Sequence, residues 1–178
     1  MILGAILAGG SARRFGSDKA LATIDGKTLL ERACDSLRRW SQEIVIVGRD
    51  DGPVRCVPDW PRAGLGPVAG IAGALIAAEK GGYEIVLTCG VDSLDLPANL
   101  PELLGNAPAY VESQRVIGLW PVSALQHARA ILAGEGPHSM RAFVSAIGAR
   151  SVHLPVQPRN INAPEDLIAA RKGDISRQ

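Results

Sequence analysis

Cysteine is scarce. Cys34, Cys56 and Cys89 are an odd number, and none sits in a C-x-x-C pair. Neither a zinc site nor a disulfide framework is supported, and reduced, mostly buried thiols are expected. Histidine is as thin: His127, His138 and His153 are scattered, and none accompanies a serine or cysteine signal for nucleophilic hydrolysis. No apolar run approaches the ~20 residues needed to cross a bilayer. The N-terminal apolar segment has no basic region ahead of it, which argues against a signal peptide. Net charge is only +1, so no general attraction to nucleic acid or to an anionic membrane is implied. Any anion must be bound by local arrangement. Repeats, low-complexity tracts and linkers are also missing. What is present, 178 residues with 47% hydrophobic and 21% charged side chains, has the balance of one soluble, cytoplasmic domain, residues 1–178, with a proper core.

The informative stretch is residues 2–21, ILGAILAGGSARRFGSDKAL. An apolar run from Ile2 to Leu7 ends in Ala8-Gly9-Gly10, and a polar loop carrying Arg13, Arg14 and Lys19 follows. This reads as a buried strand entering a loop for a phosphorylated ligand. Glycines let backbone N–H groups approach a phosphate, and the cations neutralise its charge. The glycine spacing fits neither G-x-G-x-x-G nor the P-loop, in which a lysine would stand where Ser17 is. A polar connection between strand and helix is the plainer alternative.

Downstream, apolar strands alternate with amphipathic helices. Strands are expected at 44–47, 54–57 and 84–88. Helices are expected from Thr28, with Glu31 completing a capping box, to about Trp40, and from Pro67 to about Lys80, closed by Gly81-Gly82. Gly70 and Gly73 suggest that this second helix packs closely on another backbone. A strand pair at 109–112 and 116–120, joined by residues 113–115, makes the sheet mixed. Short helices at 98–104, 122–133 and 139–147 and an edge strand at 152–154 follow. Asn162 and Pro164 open a last helix, and a polar tail runs from Lys172. The fold class is α/β: a three-layer, Rossmann-like arrangement on a mostly parallel, mixed sheet.

Three carboxylates lie where ligands collect in such sheets, in loops beyond strand ends. Asp59 precedes Gly64-Leu65-Gly66-Pro67, and Asp92 and Asp95 follow the strand at 84–88. By residue type Asp59 is a surface residue, and Asp92 an N-cap or turn aspartate. Arg49-Asp50-Asp51, after the strand at 44–47, reads as a charged surface turn.

LAGGSARRFGSDKAL resembles the signature of the molybdenum cofactor guanylyltransferase family, nucleotidyltransferases that use a nucleoside triphosphate. Phe15 stands where methionine is usual. Asp59 with Gly66-Pro67 and Gly70, Asp92 with Leu96-Pro97, and Asn160 to Leu167 are similar to further family motifs in the same order. The resemblance implies GMP transfer from GTP to molybdopterin or molybdenum-molybdopterin, with Mg²⁺ as cofactor and molybdoenzyme maturation proteins as further partners. It implies that Leu7, Ala8, Gly9 and Gly10 contact the nucleotide, that Arg14 and Lys19 neutralise the triphosphate, and that Asp59 accepts from guanine N1–H and N2. It makes Asp92 the metal ligand, with Asp95 a lesser candidate. An asparagine of the 160–162 segment would touch the acceptor phosphate or a metal-bound water, although helix capping suffices to explain it. Near Arg49 the family usually has an asparagine contacting base or ribose. Leu94 replaces a proline, and Asp95 an apolar residue. A cytidylyl- or sugar-phosphate nucleotidyltransferase, or a GTP-binding accessory protein, are the alternative readings.

Overall fold

The computed structural model describes residues 1–9 and 18–175. In chain order the elements are β1 (Ile2–Leu7), β2 (Thr23–Ile24), β3 (Lys27–Thr28), α1 (Leu29–Leu37), β4 (Glu43–Val47), β5 (Cys56–Val57) and α2 (Pro67–Gly81). Then come β6 (Ile85–Gly90), β7 (Ser93–Leu94), α3 (Leu100–Leu104), β8 (Ala109–Val111) and β9 (Gln114–Pro121). The last are α4 (Leu125–Ala133), α5 (Met140–Ala146), β10 (Arg150–Val152), β11 (Arg159–Asn160) and α6 (Pro164–Ile175). A seven-stranded sheet runs in the order β10-β8-β9-β6-β1-β4-β5. β5, β4, β1 and β6 are parallel neighbours, and β9 runs against both β6 and β8.

Alternation along the strands divides the core. Leu3, Ala5, Val45, Val47, Val86 and Trp120 join α2, α4 and α5 on one face. Ile6, Ile44, Ile46, Leu87, Cys89 and Leu119 join α1 and α3 on the other. Both faces are covered, so the central strands read as continuous apolar runs. Within β6 the hydroxyl of the buried Thr88 donates to the Val116 carbonyl and accepts from Trp120 Nε1 at 2.7 Å.

The starts expected for α1 and α2 hold, while α3 and α4 begin later than expected, at Leu100 and Leu125. Thr28 and Glu31 form both bonds of the capping box, and Gly82 closes α2 at φ 72°. Gly73 packs as expected: a Cβ there would sit 2.2 Å from the Pro58 carbonyl oxygen. Several boundaries move. α1 stops at Leu37, β5 shortens to two residues, and the edge strand lies at 150–152. The hairpin turn is tighter than expected because Gln114 belongs to β9. Its buried amide bridges Ser93 and the Pro158 carbonyl, so a polar residue with the look of a turn is held in the strand. Asn162 does not cap α6. The Asp166 carboxylate accepts from the Asn162 and Ala163 amides, at 2.7 and 2.9 Å, and these bonds lower its pKa. The stretch expected as a tail from Lys172 continues α6 to Ile175, and residues 176–178 lie outside the described residues. β7 and β11 form an antiparallel ribbon that pairs Ser93 with Asn160 and Leu94 with Arg159.

Candidate active site

The carboxyl ends of β1, β4 and β6 open on one cleft of about 460 Å³. Leu7, Gly9, Asp59, Gly66, Gly70, Asp92 and Asn160 are among the residues that line it. The parallel register sets these strand ends side by side, with Leu7 opposite Val47 on one flank and Gly90 on the other.

Asp59 is seated by glycines. The Trp60 amide donates to the Ala69 carbonyl, hooking the loop after β5 onto the first turns of α2. Asp59 then lies between Gly9 and Gly48 on one side and Gly70 on the other. A Cβ on Gly9 would meet Asp59 Oδ2 at 3.0 Å, and one on Gly70 would meet Oδ1 at 3.4 Å. Gly48 has φ +82°, and a Cβ there would stand 2.5 Å from the Gly9 Cα. Backbone lies against backbone at that point, which leaves a side chain no room. Gly48→Ala is expected to lower stability by about 3 kcal/mol or more, from positive-φ strain plus overlap, measured by urea unfolding.

Among the described residues no donor hydrogen-bonds to the Asp59 carboxylate, and burial raises its pKa above the ordinary aspartate value. Its two acceptor oxygens therefore have no protein partner among the described residues, and Asp59 lines the cleft.

Asp92 lies two residues beyond the end of β6. Its backbone carbonyl accepts from the Ile161 amide at 3.1 Å, which continues the β7–β11 ribbon. Gly90 leaves room for the side chain to fold back: a Cβ there would sit 2.4 Å from Asp92 Oδ1. Oδ2 accepts from Lys19 Nζ at 2.8 Å, with the two side chains 27% and 16% exposed. Lys19 opens a 3-10 turn, Lys19–Leu21, whose first amides are capped by Asp18.

Leu7, Gly9, Lys19, Asp59 and Asp92 thus come together. Ala8 takes another course: its amide donates to the Val47 carbonyl, and its side chain packs on the α1 face of the sheet. Gly10 and Arg14 lie outside the described residues, as does Arg13. Asp95 is not a companion to Asp92. It sits at φ +57° beyond the ribbon, tied to Arg159 Nε at 2.5 Å, and faces a separate hollow between α1 and β7. Arg49 lines a hollow beside the cleft and is bound to Asp18. Asn160, in the segment that helix capping by Asn162 sufficed to explain in the sequence, lines the cleft because β11 pairs with β7. Gly48 and Gly90 had no signal beyond ending an apolar run. The cysteines are as expected: Cys34 and Cys89 are buried, and burial pushes the Cys89 thiol up to about 12.

Residues 4–150 match the MobA-like NTP transferase domain. The chain belongs to this family. A molybdenum cofactor guanylyltransferase from Acidiphilium cryptum is 33% identical over 183 residues, covering 94% of this chain and 93% of that protein. Among solved structures, molybdopterin-guanine dinucleotide biosynthesis protein A from Archaeoglobus fulgidus superposes with a TM-score of 0.74 at 22% identity, over 98% of this chain and 99% of that one. The 4-diphosphocytidyl-2C-methyl-D-erythritol synthase from Anaerococcus prevotii superposes with a TM-score of 0.72 at 16% identity, over 98% and 96%. The MobA-like chain is therefore a nucleotidyltransferase, on a scaffold it shares with an enzyme named for a cytidylyl product.

Proposed function

We propose that the chain transfers GMP from GTP to the terminal phosphate of molybdopterin, or of its molybdenum-loaded form, and releases pyrophosphate. The observation that carries this reading is the unpaired Asp59 carboxylate in the same cleft as the Lys19–Asp92 pair. Guanine presents adjacent N1–H and N2–H donors, and a carboxylate accepts both. Adenine and cytosine lack that pair of donors.

The acceptor phosphate is already a nucleophile, so alignment and charge neutralisation carry most of the catalysis. An acceptor oxygen forms a bond to the α-phosphorus as the bond from that phosphorus to the bridging oxygen of pyrophosphate breaks. Lys19 meets the triphosphate and stabilises the departing charge. Arg14, in the same loop, is assigned the same task. Gly9 lets the phosphates approach the backbone, and Leu7 packs against the nucleoside.

A divalent ion suits the donors present. Asp92 offers oxygen, and Mg²⁺ is bound through one or two carboxylates together with phosphate oxygens and water. In this reading the ion arrives with the triphosphate and is shared between Asp92 and phosphate oxygens. When bound, that ion polarises the α-phosphate as a Lewis acid. Asn160 lines the cleft with Asp92, and in this reading it bonds a metal-bound water or the acceptor.

GTP is expected to protect the protein against thermal unfolding where CTP does not; equal protection by both would remove guanine selection. Asp59→Asn is expected to weaken GTP binding about 10–100-fold, the range for hydrogen bonds to a charged group. The same change should raise Tm at neutral pH by about 2–4 °C per kcal/mol recovered. The sign follows from burial. The folded pKa is raised, so ionisation of Asp59 costs stability as pH rises through it, and the amide avoids that cost. GTP affinity should also fall on acidification at a higher pH than an ordinary aspartate would cause, and Asp59→Asn should abolish that dependence.

A further inference from the structure

Arg49 follows the Gly9–Gly48 crossing, and its guanidinium does not point into the cleft. It grips Asp18 with two prongs, Nη1 to Oδ1 at 2.9 Å and Nη2 to Oδ2 at 2.8 Å, with only 16% of its side chain exposed. This planar fork fixes a carboxylate in orientation as well as distance. Asp18 is itself the cap of the next turn: its Oδ1 accepts the Ala20 amide at 3.1 Å, and its carbonyl accepts the Leu21 amide at 3.1 Å. That turn begins with Lys19, which reaches Asp92. A continuous path therefore runs from the end of β4 through Arg49 and Asp18 to Lys19 and Asp92.

We propose that Arg49 is a positioning residue. It anchors the downstream end of the nucleotide loop to β4, and through Asp18 it fixes where the Lys19 ammonium stands relative to Asp92 and the phosphates. The guanidinium holds Asp18 with both Nη atoms and the Asp51 carbonyl with Nε at 3.5 Å, with the Asp51 carboxylate 3.8 Å from Nη2, and is not assigned to base or ribose. Only the identity of the nucleotide in this inference rests on the proposed function. The Arg49–Asp18–Lys19 path does not.

The test is a pair of double-mutant cycles. The first needs no nucleotide: the coupling between Lys19→Met and Asp92→Asn is measured by urea unfolding in wild-type, Arg49→Met and Arg49→Lys backgrounds. The coupling is expected to drop to less than half in Arg49→Met and to be partly kept in Arg49→Lys, which retains one prong. An unchanged coupling overturns the proposal. The second cycle titrates GTP into Arg49→Met, Lys19→Met and the double variant. Arg49→Met should weaken GTP about tenfold, a modest share of what misplacing a group by an ångström can cost. The double variant should be no worse than Lys19→Met alone, because the two act through one group. Additive losses would place Arg49 on the nucleotide and overturn the proposal. Wild-type protein that binds no GTP would remove the guanosine reading and leave the first cycle to decide the role of Arg49.

Discussion

Asp92→Asn is expected to lower transfer about a thousandfold, the kinetic equivalent of losing several kcal/mol of charge stabilisation at the reacting phosphate. Asparagine keeps the shape of the side chain. The fold around it does not depend on the carboxylate: the ribbon hangs on the Asp92 backbone carbonyl, and Ser93 is held by Gln114. Circular dichroism and Tm should therefore stay near wild type while kcat collapses. Metal affinity of the nucleotide complex, read by Mn²⁺ titration, should fall with it. Removing the negative charge also frees Lys19 from its 2.8 Å partner, so binding of nucleotide without metal should be kept or strengthened. Full transfer activity in this variant would remove Asp92 from the metal role.

Lys19→Met ranks second. The methionine stem fills the same partly covered channel, so packing is largely retained. What is lost is the positive charge that the proposed function assigns to the departing pyrophosphate, and one such donor is worth about 10²–10³ in kcat. The variant also leaves Asp92, 27% exposed, without its cation. Some stability should be lost, and the loss should disappear in the Lys19→Met, Asp92→Asn pair, since neighbouring charges couple. Initial rates of pyrophosphate release at saturating GTP separate this from a binding defect. A fall confined to KM, with kcat unchanged, would mean that Lys19 only binds.

Local chemistry was legible in the sequence at the central strands, at the start of α1 and at the ends of α2, but not at Asn162, where the Asp166 carboxylate takes the amides instead. The strand core at 2–7 and the strands that begin near 44 and 84 are apolar throughout because both faces of the sheet are covered. Thr28 and Glu31 announced α1, and Pro67 with Gly82 bracketed α2. The resemblance pointed to Asp59, Lys19 and Asp92; Asp59 and Asp92 line one cleft, and Lys19 joins them through its ion pair with Asp92. What escaped depends on pairings across the chain. β7 and β11 have two residues each, too few for any periodicity, and their paired residues lie 65 and 67 positions apart, Leu94 with Arg159 and Ser93 with Asn160. That pairing carries Asn160 into the cleft and turns Asp95 away from it. Gly48 looked like a strand terminator, and only the crossing with Gly9 shows why no side chain fits. Arg49 looked like part of a charged surface turn, and its partner Asp18 lies 31 positions earlier.

Guanylyl transfer is tested most directly by pyrophosphate release from wild-type protein with each of the four nucleoside triphosphates, with and without molybdopterin, in the presence of Mg²⁺. Release is expected with GTP alone among the four, dependent on molybdopterin, with a guanine dinucleotide of the pterin as the product. Release from CTP at an equal or greater rate, or no release from GTP when molybdopterin is present, would contradict the account.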